Sequence, residues 1–150
     1  MTLPKTILVP TDFGEGSEAA LLYAVDLAKV VGADLVVLHA FEIPMVGFPD
    51  GTLAASAEFA SRVLEGARAG LDNAIKPHEA SGVSIRGLIK QGDTWRTILD
   101  AVAEVRAGLI VMGTHGRRGL PRALLGSVAE KIVRTAPCPV LTVQSSAPPS

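Results

Sequence analysis

Residues 109–128, LIVMGTHGRRGLPRALLGSV, contain the pattern that decides the fold and points to a site. The first four residues are apolar and typical of a buried strand, and they run directly into Gly113. Gly116 and the pair Gly126-Ser127 follow, and a helical pattern begins at Ser127, which we expect to be its N-cap. Because glycine allows tight turns and close approach, and helix N-termini favour anions, the stretch predicts a phosphate-binding loop.

Three arginines add positive charge to this loop, namely Arg117, Arg118 and Arg122. We include Arg117 among the candidate phosphate contacts, although exposed arginines are more often simply solvated. The glycines also have a plainer interpretation as ordinary turn residues. Neither the P-loop pattern GxxxxGK[ST] nor a GxGxxG run after a strand occurs in the chain, so this is not one of the common phosphate loops.

Composition indicates one globular domain. The chain has 150 residues, 48% hydrophobic and 19% charged, which is enough to bury a core. The formal net charge of −1 argues against a nucleic-acid binder driven by bulk positive charge. The sequence shows neither a signal-peptide pattern nor an apolar run of membrane-spanning length, and one cysteine excludes an internal disulfide. These features predict a cytoplasmic protein.

Hydrophobic periodicity alternates between strand and helix along the chain. Ser17 is predicted to cap the first helix, and residues 41–52 are predicted to be a loop. Such alternation indicates an α/β fold, with a parallel sheet covered by helices on both faces. The predicted strands are residues 6–10, 34–40, 83–90, 109–112 and 139–143, and the predicted helices are 17–31, 53–79, 94–105 and 127–135.

Ligands of open parallel sheets bind beyond the carboxyl ends of strands, where the strand order reverses. The first strand ends at Pro10, with Thr11 and Asp12 directly after it, and the fourth ends at Gly113. If these two strands are neighbours, a nucleotide would place its phosphates on the glycine loop and its ribose or base near Asp12 and Ala40. Asp12 has a second interpretation, as a cap of the turn into the first helix.

The three histidines show no metal-ligand spacing, so no metal site is predicted. His39 lies within a predicted buried strand and is interpreted as a satisfied core histidine. His115 lies in the glycine loop, where a structural hydrogen bond is a more common role than general-base catalysis. No catalytic residue is therefore assigned.

Three segments resemble the universal stress protein family. They are ILVPTDFGEGSEAALLYAVDLAK at the start, ADLVVLHAFE in the second strand, and IVMGTHGRRGLPRALLGSVAEKIVRTAPCPVLTV from the fourth strand onward. The last segment carries the family's ATP-associated pattern G-x2-G-x9-G-[ST]. Gly113, Gly116, Gly126 and Ser127 fill its four fixed positions.

The resemblance implies a single-domain, Rossmann-like open twisted sheet of five parallel strands in the order 3-2-1-4-5, within residues 1–144. The Ser/Ala/Pro-rich residues 145–150 are predicted to be a flexible tail. It implies ATP as the ligand, with residue roles carried over by position. Adenine and ribose would lie beside Pro10, Thr11 and Asp12, with Ala40 offering backbone groups to the adenine. The ribose and phosphate path would be lined by Met112 and Gly113, and the phosphates would be wrapped by Gly116, Gly126, Ser127 and Val128.

Two positions depart from the family pattern. Ala129 stands where some ATP-binding members have a hydroxyl residue, and its methyl group offers no phosphate contact. Gly14 stands where serine is frequent. These departures bear on affinity and on the turn before the first helix.

The last strand is expected to lie at the sheet edge. An uncovered apolar edge favours further pairing, and two symmetric edges can satisfy each other in a homodimer. The family resemblance implies the same interface, formed by Val140, Leu141, Thr142 and Val143.

We interpret the chain as an ATP-binding regulatory protein of the stress response. Two alternatives stay open, a slow ATP hydrolase and a nucleotide-free dimerising scaffold. Hydrolysis needs a base or water-orienting group and charge stabilisation, and the sequence offers no Walker-type lysine and no clear base. Magnesium is expected only through the phosphates of the nucleotide, and the downstream protein partner is not specified by the sequence.

Overall fold

The structure is a computed structural model that describes residues 2–54, 56–115 and 125–145. In the described residues no helix is long and apolar enough to cross a membrane. The strands are β1 (Thr6–Pro10), β2 (Asp34–Phe41), β3 (Val46–Gly47), β4 (Leu53–Ala54), β5 (Ile85–Gln91), β6 (Leu109–Gly113) and β7 (Val140–Val143). The helices are α1 (Glu15–Val31), α2 (Ala57–Ile75), α3 (Thr94–Val105) and α4 (Ser127–Thr135), with a 3-10 helix at Lys76–Ser81.

Five strands form one parallel sheet in the order β5-β2-β1-β6-β7. Counted along the chain without the short β3 and β4, this is the order 3-2-1-4-5, so the predicted topology is confirmed. β1 pairs with β2 on one side and with β6 on the other. The carboxyl ends of β1 and β6 are therefore adjacent, which creates the expected binding position.

Helices cover both faces of the sheet, as predicted. On one face, Ile7 and Val9 of β1 pack with α1 and with Leu71 of α2. On the other face, Leu8 of β1 packs with Ile98 of α3 and with α4. Alternate residues of the same short strand thus enter two separate cores, which explains why the three central residues of β1 are all apolar.

The segment between β2 and α2 differs from the prediction. β3 and β4 pair as an antiparallel hairpin within the predicted loop and beyond it. The helix begins at Ala57 rather than at Leu53, because Ser56 caps it by accepting a hydrogen bond from the Phe59 backbone N–H at 3.2 Å. It ends at Ile75, where the chain tightens into the 3-10 helix.

Gly87 and Trp95 have packing roles. A Cβ atom on Gly87 of β5 would lie 2.6 Å from Leu71 Cδ2, so glycine is what lets α2 pack onto β5. Trp95 of α3 is half-buried against the second core. Its ring also faces Lys131 of α4, whose Nζ lies 4.3 Å from the ring centroid.

Candidate functional site

A cleft of about 480 Å³ opens beyond the carboxyl ends of β1, β2 and β6, and the first residues of α4 close one side. All predicted site residues that the structure describes line this one cleft. They are Pro10, Thr11, Asp12, Ala40, Met112, Gly113, Gly126, Ser127 and Val128. The predicted Gly116 and Arg117 lie outside the described residues, in the segment 116–124. What these residues bind stays a prediction.

Asp12 both shapes the turn after β1 and faces the cleft. Its Oδ1 atom accepts hydrogen bonds from the Gly14 backbone N–H and from the Ser17 hydroxyl, each at 2.8 Å. Ser17 is not the N-cap that the sequence predicted, because α1 begins two residues earlier and Gly14 occupies the cap position. The two interpretations of Asp12, turn cap and ligand contact, are therefore compatible.

Thr11 is held from three directions. Its backbone N–H donates to the Leu38 carbonyl at 2.8 Å, and its hydroxyl accepts from the Phe13 N–H at 3.0 Å. Its carbonyl lies 2.8 Å from His39 Nδ1, and because a carbonyl only accepts, that nitrogen carries the proton. His39 is half-buried rather than in the core, and its ring stacks on Phe13 with centroids 4.2 Å apart.

Gly113 has a packing role that the glycine spacing does not reveal. A Cβ atom there would lie 2.9 Å from both the carbonyl carbon and oxygen of Gly16 in α1. A Cβ atom on Gly16 would in turn lie 2.9 Å from the His115 carbonyl oxygen. These glycines let the first turn of α1 rest directly on the end of β6, so Gly113 has a packing role in the fold whatever the cleft binds.

The N-terminus of α4 points into the cleft. Gly126 is its N-cap, with φ −62° and ψ 158°, and Ser127 is the first helical residue rather than the predicted cap. The Gly126 N–H already donates to the Thr114 carbonyl at 2.7 Å. The N–H groups of Ser127, Val128 and Ala129 precede the first intrahelical bond, which runs from Glu130 to Gly126. This end of the helix therefore favours an anion.

The charge of the described lining is small. Asp12 is the one carboxylate among the described residues that line the cleft, and no lysine or arginine lies among them. Within the described ranges, no group of three or more His, Cys, Asp or Glu residues could hold a metal ion. Binding of an anion at this site thus depends on backbone N–H groups, together with whatever the segment 116–124 contributes.

The family profile of the universal stress proteins matches residues 4–144. The chain belongs to the universal stress protein family. A universal stress protein of Methanocaldococcus jannaschii is 37% identical over 144 residues, which are 95% of this chain and 83% of that protein. The structure of the universal stress protein UspA from Lactobacillus plantarum matches with a TM-score of 0.79 at 25% identity, covering 95% of this chain and 99% of that one. A universal stress protein in complex with cAMP matches with a TM-score of 0.70 at 25% identity, covering 97% and 100%.

Several residues of the cleft in this universal stress protein were not predicted as site residues. Leu38 and Ile98 form an apolar wall together with Met112, and Ile98 comes from α3. His115 lines the rim, and its Nδ1 atom lies 2.9 Å from the Thr114 hydroxyl. The remaining additions are Ser17, His39, Thr94, Thr114 and Ala129. Ile98 is an apolar residue of a predicted helix, and that pattern in the sequence does not distinguish a cleft wall from a core.

Proposed function

We propose that this universal stress protein binds ATP in the cleft and acts in the stress response as an ATP-dependent regulatory dimer. The observation that carries the proposal is the order in which apolar, acidic and anion-binding groups follow one another along the cleft. An apolar wall from Leu38, Ile98 and Met112 suits a flat base, Asp12 suits a hydroxyl donor, and the α4 N-terminus suits phosphates. The family relative that binds cAMP supports an adenine nucleotide as the ligand class.

ATP rather than a smaller nucleotide is proposed from the G-x2-G-x9-G-[ST] pattern. Its fixed positions Gly113, Gly126 and Ser127 meet at one end of the cleft, while Gly116 falls in the segment 116–124. That segment also holds Arg117, the candidate cation for the outer phosphates. Magnesium would enter with the phosphates, because Asp12 is the one carboxylate of the described lining. A cytoplasmic location is proposed with the ligand, since ATP is abundant there.

Replacement of Ser127 by Asp tests the phosphate position. Ser127 is exposed and is the first residue of α4, so an acidic side chain there complements the helix dipole and leaves the fold intact. The same charge would repel phosphates at the helix N-terminus. We expect titration calorimetry to show ATP affinity lowered at least about tenfold, or about 1.4 kcal/mol, with adenosine affinity unchanged.

Ser56→Asp is the matched control. It places the same charge at the exposed N-cap of α2, outside the cleft, where Asp also caps well. Its ATP affinity should equal that of the wild type. If Ser127→Asp and the wild type bind ATP with equal affinity, the phosphates do not lie at the N-terminus of α4. Absence of ATP binding by the wild type would favour the nucleotide-free scaffold, and magnesium-dependent phosphate release would favour the slow hydrolase.

The dimer is proposed through the edge of the sheet. β7 is the last strand in the sheet order and pairs only with β6 among the described strands. Pairing of two β7 edges about a two-fold axis would bury both, through Val140, Leu141, Thr142 and Val143. Leu141 packs against the core cluster on the α1 side, so a change there would also test folding. A substitution at Thr142, which is not part of either core cluster, is the sharper test of the edge.

A further inference from the structure

Ser17 is a buried residue whose hydroxyl group, within the described part of the chain, forms hydrogen bonds with Asp12 alone. It is 8% exposed and lies in the first turn of α1, on the wall of the cleft. Its hydroxyl donates to Asp12 Oδ1 at 2.8 Å and accepts from the Asp12 backbone N–H at 3.1 Å. One side chain therefore fixes both the backbone and the carboxylate of the acidic residue that faces the cleft.

The orientation of the Asp12 carboxylate follows from these bonds. Oδ1 receives two donors, the Ser17 hydroxyl and the Gly14 N–H. No described residue donates to Oδ2. An ionised carboxylate only accepts hydrogen bonds, so the carboxylate retains one oxygen for a donor of the ligand.

The turn that carries Asp12 is held rigidly. Phe13 has a φ of 65°, a left-handed conformation that is strained for a bulky residue. Its ring stacks on His39 and its N–H donates to the Thr11 hydroxyl, so surrounding contacts maintain that conformation. Gly16, next to Ser17, rests on Gly113, so the start of α1 is fixed against β6.

The strand order indicates which part of a nucleotide meets Asp12. Along the cleft, Ala40 lies at the end of β2, Asp12 follows β1, and Gly113 ends β6 before α4 begins. With phosphates at α4 and a base near β2, the sugar lies over β1. The sugar hydroxyls are the hydrogen-bond donors of the nucleotide that come closest to that central position.

We propose that Ser17 is a positioning residue that makes the cleft select ribose over deoxyribose. Its hydrogen bond to Oδ1 fixes the orientation of the Asp12 carboxylate, so that Oδ2 accepts a hydrogen bond from the 2′-hydroxyl of the sugar. This inference rests on the proposed binding of ATP in the same cleft and adds the sugar class to it. The hydroxyl of Ser17 acts through Asp12 and does not itself contact the ligand.

The test compares ATP with 2′-deoxyATP by titration calorimetry. For the wild type we expect ATP to bind at least about tenfold more tightly, as for a hydrogen bond to a charged group. Ser17→Ala should lower the ratio of ATP affinity to 2′-deoxyATP affinity to within about threefold of unity, mainly by lowering the affinity for ATP. Ser17→Thr retains a hydroxyl and should restore the preference. Asp12→Asn keeps an acceptor at the Oδ1 position but replaces the charged acceptor Oδ2 by a neutral donor, to which the 2′-hydroxyl can bond only as an acceptor, so it should reduce the preference.

Thr97→Ala is the matched control. It removes another buried hydroxyl near a helix start, in α3, from a residue that does not line the cleft. It should leave the sugar preference unchanged even if stability falls. Thermal melts of every variant check folding, and Ser17→Cys supplies a near-isosteric substitute with a weak donor if Ser17→Ala does not fold.

The outcomes separate this inference from the proposed function. Equal wild-type affinity for ATP and 2′-deoxyATP overturns the sugar selection and leaves ATP binding standing. If Ser17→Ala lowers the affinity for ATP and for 2′-deoxyATP by the same factor, Ser17 has a structural role only, and the positioning role is overturned. Absence of ATP binding in the wild type overturns both.

Discussion

At the scale of single residues, substitution of Gly113 can show whether this glycine serves the packing of the fold or the binding of a ligand. A Cβ there would lie 2.9 Å from backbone atoms of Gly16, which cannot rotate away as a side chain would. We expect Gly113→Ala to lower the free energy of unfolding by about 1–3 kcal/mol in urea titrations, with or without nucleotide. Gly16→Ala should act similarly through the His115 carbonyl, and the double variant should cost less than the sum, because one shift of α1 relieves both contacts. A Gly113→Ala protein of wild-type stability that has lost ATP affinity would show that the glycine serves the ligand instead.

At the scale of elements, two glycines of α2 give opposite expectations. Gly66 is exposed, and a Cβ atom added there would have no neighbouring atom within 4 Å, so Gly66→Ala should stabilise the helix by about 0.5–1 kcal/mol. A Cβ on Gly70 would lie 2.7 Å from the Phe13 ring, which would have to leave its stack on His39. The free energy of unfolding of Gly70→Ala, measured by chemical denaturation, should therefore be at least about 1 kcal/mol lower than that of Gly66→Ala. In a Phe13→Leu background, where the ring is absent, this difference should shrink, and a difference that persists would show that the clash is not its cause.

At the scale of the whole molecule, the sequence predicted those elements whose residues show a clear pattern of hydrophobicity or glycine spacing. Apolar runs such as residues 6–10 and 109–112 marked strands whose two faces are both buried, and the glycine spacing marked the end of β6. Contacts between distant segments were not predictable. Nothing in the local pattern identifies Gly113 as the partner of Gly16. The bond from Ser17 to Asp12 is local but was also missed, because a serine five residues after an aspartate suits a helix cap as well as a bond to that carboxylate. Leu53 was predicted to be helical because an Ala-rich run follows it, whereas the chain pairs it with Gly47 in a hairpin.

The proposed dimer is tested most cleanly at Thr142. The carbonyls of Pro139 and Val143 accept hydrogen bonds from the β6 side, so by alternation Leu141 also faces β6, and Val140 and Thr142 turn their backbone groups to the open edge. Thr142→Pro removes an N–H that the sheet within one chain does not use, which proline tolerates on an edge strand. We expect light scattering to give the mass of a dimer for wild type and for the control Thr142→Val, which keeps the N–H, and the mass of a monomer for Thr142→Pro. A dimer in Thr142→Pro would exclude the β7 edge as the interface, whereas a monomeric wild type would require another way to cover that edge.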